Sequence, residues 1–252
     1  MALGIAFEGC AGRAAFSAGV AMELQRCGQM PDLIAGASSG AIVAVFAAAG
    51  RAGELEQSWL TSAGSPVFSP TALLRLAWPF RMSEIVARAM SQAFGGLRLD
   101  ELPRSVAIPV TFIGVEGRSR RVLTRADAVP VVEAVLASCF VPGPYSRVIR
   151  IDGRPAFDGA WQERAPLKEA QDLGASRVIV VNGHPRETLA TGYPFVRQVP
   201  LPADCRVIRP RLPLALGGYD TDESRIRAAI QAGRRAASRF LERESDWMTQ
   251  GS

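Results

Sequence analysis

Three short stretches of this chain hold residue types and spacings that support chemistry: GASSG at 36–40, EGCAGR at 8–13 and FDGAW at 157–161. In the first, Ser38 is the third residue of a G-x-S-x-G pattern that closes the apolar run LIAG and opens the alanine-rich run AIVAVFAAAG. A nucleophilic serine on a sharp strand-to-helix turn sits in strained backbone and needs small flanking residues, here Gly36 and Gly40. The helix that follows would point its N-terminal amides, and the positive end of its dipole, at an oxygen where negative charge develops. The pattern alone is weak. Its setting between a strand and a helix favours Ser38 as a nucleophile over a helix cap.

A serine nucleophile needs a base, and the chain has one histidine, His184. The order Ser38, Asp158, His184 matches that of an α/β-hydrolase triad, but there the nucleophile follows several strands, whereas Ser38 follows one strand, one helix and its own strand. His184, in VNGHPRE, reads instead as a solvated loop residue. A partly buried carboxylate within hydrogen-bond reach can activate the serine in its place. Two Asp-Gly pairs compete for that role in RVIRIDGRPAFDGAW. Asp152-Gly153 has the form of a tight hairpin turn, whose residues take positive φ. Asp158 ends the second strand of that hairpin, and Gly159 and Ala160 keep its surroundings small, so Asp158 is the expected base.

An acyl transition state also needs donors for its oxyanion. Gly9, Cys10, Ala11, Gly12 and Arg13 lie in a small-residue turn between the first strand and its helix, where backbone amides can converge as a nest. A dinucleotide-binding turn fits poorly, because G-x-G-x-x-G is not met and no acidic residue closes a second strand about 20 residues on.

These residues need a scaffold. The runs LGIAF (3–7), LIAG (33–36), VAIPVTFIGV (106–115) and RVIVVN (177–182) are apolar almost throughout, as strands buried on both faces are. Helical patterns at 15–28, 39–50, 130–140 and 166–174 alternate with them, which predicts a mostly parallel sheet covered by helices. A last helix shows Ile226, Ile230, Gly233, Ala237 and Leu241 at helical spacing, with Asp220 and Glu223 as its expected capping box. Residues 64–96 break the alternation with prolines, Trp78, Phe80 and two amphipathic stretches; they read as helical core packing or as a lid.

The chain has 252 residues, 48% of them apolar and 21% charged, enough for a substantial core in one domain, folded except at its extreme C-terminus. Of the 29 basic residues all but Lys168 are arginine, giving a net charge of +5. They are scattered along the sequence, which argues against nucleic acid and leaves a basic face toward anionic lipid as the better partner. Cysteines 10, 27, 139 and 205 are far apart, with no metal-ligand or redox spacing, so no metal or organic cofactor is implied and a reducing compartment is expected. MALGIAFEG lacks the marks of a signal peptide, and AIVAVFAAAG is about half the length needed to span a bilayer. The expected location is cytoplasmic, with peripheral contact at a membrane.

In this order, a small-residue loop with Arg13, GASSG and a terminal Asp-Gly-Ala after a hairpin, the chain resembles the patatin-like phospholipases. The resemblance runs from IAFEGCAGRAAFSAGV through LIAGASSGAIVA and AVLASCFVPGPYSRVI to FDGAWQERAPLKEAQDLGASRVIVV. It implies a three-layer α/β/α sandwich spanning 1–252, and hydrolysis of lipid or phospholipid acyl esters by a Ser-Asp dyad. By this resemblance Ser38 is the nucleophile, Asp158 the base, and Gly9 through Arg13 the oxyanion loop, with Gly36, Gly40 and Gly159 in support. The chain departs from the family's G-G-G-x-R/K-G loop: Cys10, Ala11 and Ala14 stand for glycines, and a Cβ at any position of positive φ adds strain of about 1 kcal/mol. Two other functions share these features. An acyltransferase would keep the serine but pair it with a histidine, and a catalytically silent lipid-binding protein would tolerate the altered loop. Oligomeric state is not legible.

Overall fold

The computed structural model describes residues 2–74, 78–114, 117–192 and 196–249. Position 115, parts of 64–96 and the expected disordered C-terminus fall outside them.

The four apolar runs form the strands β1 (Leu3–Phe7), β2 (Leu33–Gly36), β3 (Ser105–Gly114) and β7 (Arg177–Val181). They lie side by side in the order β7-β1-β2-β3, every pair parallel. Strand β10 (Cys205–Ile208) extends the parallel set beyond β7. At β3 the sheet takes on antiparallel partners. Strand β4 (Gly117–Thr124) pairs along β3, and the hairpin of β5 (Arg150–Ile151) and β6 (Arg154–Phe157) joins through Thr111 and Phe112. Asp152 and Gly153, at φ 51° and 73°, form the tight turn expected of them. A separate pair, β8 (Thr188–Ala190) and β9 (Gln198–Pro200), lies off the main sheet.

Alternation along each strand divides the core in two. Ile5, Phe7, Ile34, Val106, Ile108, Ile179 and Val181 face one side, where they pack with the helices α1 (Ala14–Arg26), α2 (Ser39–Ala48) and α6 (Val131–Cys139) and with part of α8 (Glu223–Thr249). Each such side chain, fully buried, contributes about 2 kcal/mol of transfer free energy. Ala6, Ala35 and Ala107, direct neighbours across β1, β2 and β3, face the other side. The methyl row leaves room for α7 (Leu167–Asp172) to lie close against the sheet. Helices on both faces of a mostly parallel sheet, as the alternation predicts, make the three-layer α/β/α sandwich that the family resemblance implies.

Helix α8 buries Ile226, Ile230 and Ala237, with Gly233 against the Phe16 carbonyl and Leu241 half-buried. Its cap differs from the expected one. The Asp222 carboxylate accepts the Arg225 amide at 2.9 Å, while Asp220 accepts the Asp222 amide at 2.9 Å, two residues too early to cap the helix. Between α2 and β3 lie the short helices α3 (Leu55–Leu60) and α4 (Pro70–Leu74) and the longer α5 (Met82–Phe94).

Candidate active site

Ser38 follows β2 by two residues and immediately precedes α2. Its φ of 52° and ψ of −129° give the strained turn that the G-x-S-x-G setting demands. Neighbouring backbone leaves no room for a β-carbon: at Gly36 one would lie 2.3 Å from the Gly40 carbonyl oxygen, and at Gly40 2.3 Å from that of Phe7. The Ser38 amide donates to Ser138 Oγ at 3.0 Å, and that hydroxyl donates to the Pro109 carbonyl at 2.7 Å. A side chain 100 residues away therefore holds the turn in place.

Asp158 directly follows β6. Ala107 pairs with both β2 and β4, and Thr111 with both β6 and β4, so β2 and β6 occupy the same edge of β3. That shared edge brings the ends of β2 and β6 together, and Ser38 Oγ donates to Asp158 Oδ2 at 2.6 Å across 120 residues of sequence. Asp158 is 3% exposed. Its other oxygen accepts the Ala160 amide at 2.7 Å, and Thr111 Oγ1 donates to its backbone carbonyl at 2.9 Å. Gly159 is required here, because a β-carbon would lie 2.1 Å from the Pro109 carbonyl oxygen. Burial pushes the Asp158 carboxyl up from 3.8 to about 7, against the hydrogen bonds from Ser38 and Ala160 and the positive field of Arg164.

The loop Gly9–Arg13 lies beside the pair, with Ser38 and Asp158 in the wall of one cavity of about 600 Å³. Three of its amides already have protein acceptors. Gly9 donates to the Arg164 carbonyl at 2.8 Å, Cys10 to Ser39 Oγ at 3.2 Å and Gly12 to the Gly218 carbonyl at 2.7 Å. The Gly9, Cys10 and Gly12 amides therefore do not join the converging nest expected of this loop. Of the three positions where glycine is replaced, Ala11 alone takes a left-handed conformation, at φ 53°; Cys10 and Ala14 have φ of −140° and −66°.

Behind the loop is a buried ionic cluster that the sequence did not announce. Glu8, fully buried, accepts the Gly183 amide at 2.7 Å and pairs with the Arg164 guanidinium at 3.2 Å. Arg164 also donates through Nε to the Gly9 carbonyl at 3.1 Å, so it grips Gly9 by both backbone groups. His184 is not solvated as expected. Half-buried, it places Nε2 3.9 Å from Glu8 while Nδ1 accepts the Arg186 amide at 3.2 Å, and desolvation, ahead of the arginines nearby, lowers its pKa. The cavity wall does not include it.

The rest of the wall is mostly apolar. Ile42, Trp59, Ile85, Val86 and Met90 come from α2, α3 and α5, and Tyr145, Trp161 and Tyr219 add aromatic rings to the wall. Trp161 stacks on Phe157 with centroids 5.5 Å apart and carries the Arg118 guanidinium 5.2 Å from its ring. Within 64–96, Val86, Met90 and Phe94 are core residues, while Phe68 and Trp78 are 45% and 55% exposed. The Trp78 indole donates to the Gly143 carbonyl at 2.9 Å. Among the described residues no cluster of three or more His, Cys, Asp or Glu could hold a metal ion, and the four cysteines are unpaired. Nor is any described helix long and apolar enough to cross a membrane.

A family model for patatin-like phospholipase matches residues 5–170, a span that holds the loop, Ser38 and Asp158. The chain belongs to the patatin-like phospholipase family. Two solved structures share the fold of this patatin-like chain. VipD from Legionella pneumophila is 10% identical, with a TM-score of 0.53 over 96% of this chain and 66% of that one. Human GIVD cytosolic phospholipase A2, in complex with methyl gamma-linolenyl fluorophosphonate, is 12% identical, with a TM-score of 0.51 over 98% of this chain and 59% of that one. The present chain therefore spans less than two thirds of either neighbour. No curated protein sequence matches it.

Proposed function

We propose that this patatin-like chain is a serine hydrolase of lipid acyl esters, with Ser38 as nucleophile and Asp158 as base. The observation that carries the reading is the 2.6 Å hydrogen bond from Ser38 to a buried carboxylate, set in a largely apolar cavity of about 600 Å³. Asp158 takes the Ser38 proton as Oγ attacks the ester carbonyl, and passes it to the departing alkoxide. The oxyanion is held by the loop, with the Ala11 amide as donor, and by the N-terminal end of α2. Water, deprotonated by the same carboxylate, then releases the acyl group and restores the serine. The apolar wall from α2, α3 and α5 receives the acyl chain. In this reading α5 and the exposed Phe68 and Trp78 form a cap at which the protein meets a lipid surface.

Modification by a long-chain alkyl fluorophosphonate, followed by peptide mapping, tests the assignment. The wild-type protein is expected to carry one adduct on Ser38, absent in Ser38→Ala and at least a hundredfold slower to form in Asp158→Asn. His184→Ala is expected to react as wild type, since His184 lies outside the cavity wall; loss of labelling in that variant would overturn the dyad and revive a histidine-based acyltransferase. No adduct on folded wild-type protein would favour the silent lipid-binding reading.

A further inference from the structure

A second groove, of about 340 Å³, lies between α8 and the loop that runs to it from β10. Arg211, Arg235 and Arg239 line it with Arg225, the remaining wall is alanine, leucine and proline, and no carboxylate takes part. Arg225 is engaged with Asp220 and Asp222. Arg235, Arg239 and Arg243 recur every four residues along one stripe of α8, and Arg211 approaches them from the loop. Folding thus collects charges that look scattered in the sequence. Partial burial first, and then the like charges of Arg211, Arg235 and Arg243, lower the Arg239 pKa, with Glu242 opposing. With Arg225 already paired, Arg211, Arg235 and Arg239 line the groove with like charge and no carboxylate among them, and a bound anion would offset their repulsion.

We propose that this groove binds the headgroup phosphate of an anionic phospholipid at a bilayer surface. Guanidinium groups match phosphate oxygens in charge and in donor geometry. The apolar rim identifies the source: Leu212, 75% exposed, stands beside the arginines, where a free phosphate ion would have no use for it and an acyl-glycerol boundary would. Gly218, on the same loop, accepts the Gly12 amide, so an occupied groove lies one loop away from the candidate oxyanion site. The binding site stands independently of the hydrolase reading.

Co-sedimentation of the Ser38→Ala protein with vesicles tests it without hydrolysis, using phosphatidylcholine alone or with about one fifth phosphatidic acid. Binding to the anionic vesicles is expected to weaken roughly thirtyfold in Arg235→Gln/Arg239→Gln, at about 1 kcal/mol for each basic residue near the surface. The loop variant Arg211→Gln/Leu212→Ser provides a second reading without touching α8. A control with the same net charge, Arg98→Gln/Arg150→Gln, is expected to stay within about twofold of the parent. Equal weakening in the control would reduce the effect to general charge and overturn the site, as would undiminished binding by both groove variants. Displacement of the parent from vesicles by millimolar inorganic phosphate, absent in the groove variants, would show a soluble phosphate site and overturn the lipid assignment.

Discussion

Replacing Asp158 by Asn separates what this carboxylate does for chemistry from what it costs the fold. Burial raises its pKa from the ordinary 3.8 to about 7. Between those two values the folded protein keeps a proton that the unfolded chain has released. The stability Asp158 contributes is therefore fully present below about pH 4 and is lost as the pH rises through about 7. The interval corresponds to about 4 kcal/mol. Asparagine fills the same space without ionising, so Asp158→Asn is expected to match wild type near pH 4 and to exceed its stability by up to about 4 kcal/mol at pH 8. Urea unfolding of both proteins at a series of pH values reads the difference, in which the titration of all other groups cancels. Reaction of wild-type Ser38 with a fluorophosphonate over the same range should rise with a midpoint near pH 7, as the base ionises. A stability difference that stays flat with pH would refute the buried-carboxylate argument, and a labelling rate unchanged by the substitution would refute the base.

Other substitutions probe the frame around the pair. Ala11→Gly removes a Cβ from left-handed backbone and should stabilise the protein by about 1 kcal/mol in denaturant melts without slowing labelling of Ser38. Arg164→Met strands the buried Glu8 carboxylate and should cost about 3 kcal/mol or more; adding Glu8→Gln should recover part of that stability, and failure to recover any would mean the two groups are not paired. Gly159→Ala drives a methyl group into the Pro109 carbonyl and should lower the melting temperature sharply while abolishing labelling, a result that unperturbed activity would contradict.

Much of the sheet was legible because strands buried on both faces leave continuous apolar runs, as β1, β2, β3 and β7 do. Strand β4, GRSRRVLT, carries its arginines on the outer edge of β3 and has no such run. Ser38 and Asp158 could be read because local features mark them: glycines at fixed spacing, an Asp-Gly pair after a hairpin. Ser138, Glu8 and Arg164 act on backbone groups 100 or more residues away, and no local pattern encodes such contacts. The same holds for the arginine groove, where an i, i+4, i+8 stripe meets a residue from a separate loop. At the start of α8, Asp220 and Asp222 both suit a cap in sequence, and only backbone geometry decides for Asp222.

That β2 and β6 share one edge of β3 has a consequence for timing. Ser38 leaves the ribosome well before Asp158, and at typical synthesis rates of 5–20 residues per second the interval of 120 residues takes roughly ten seconds. Throughout that interval the serine has a strand and a helix beside it but no carboxylate. The pairing that supplies one, Thr111 with Phe157, joins strands far apart in sequence and belongs to the slow, long-range class of folding events. With Ser38 and Asp158 acting as the dyad proposed above, the serine stays inert through that interval, and the β3–β6 pairing is the step that arms it.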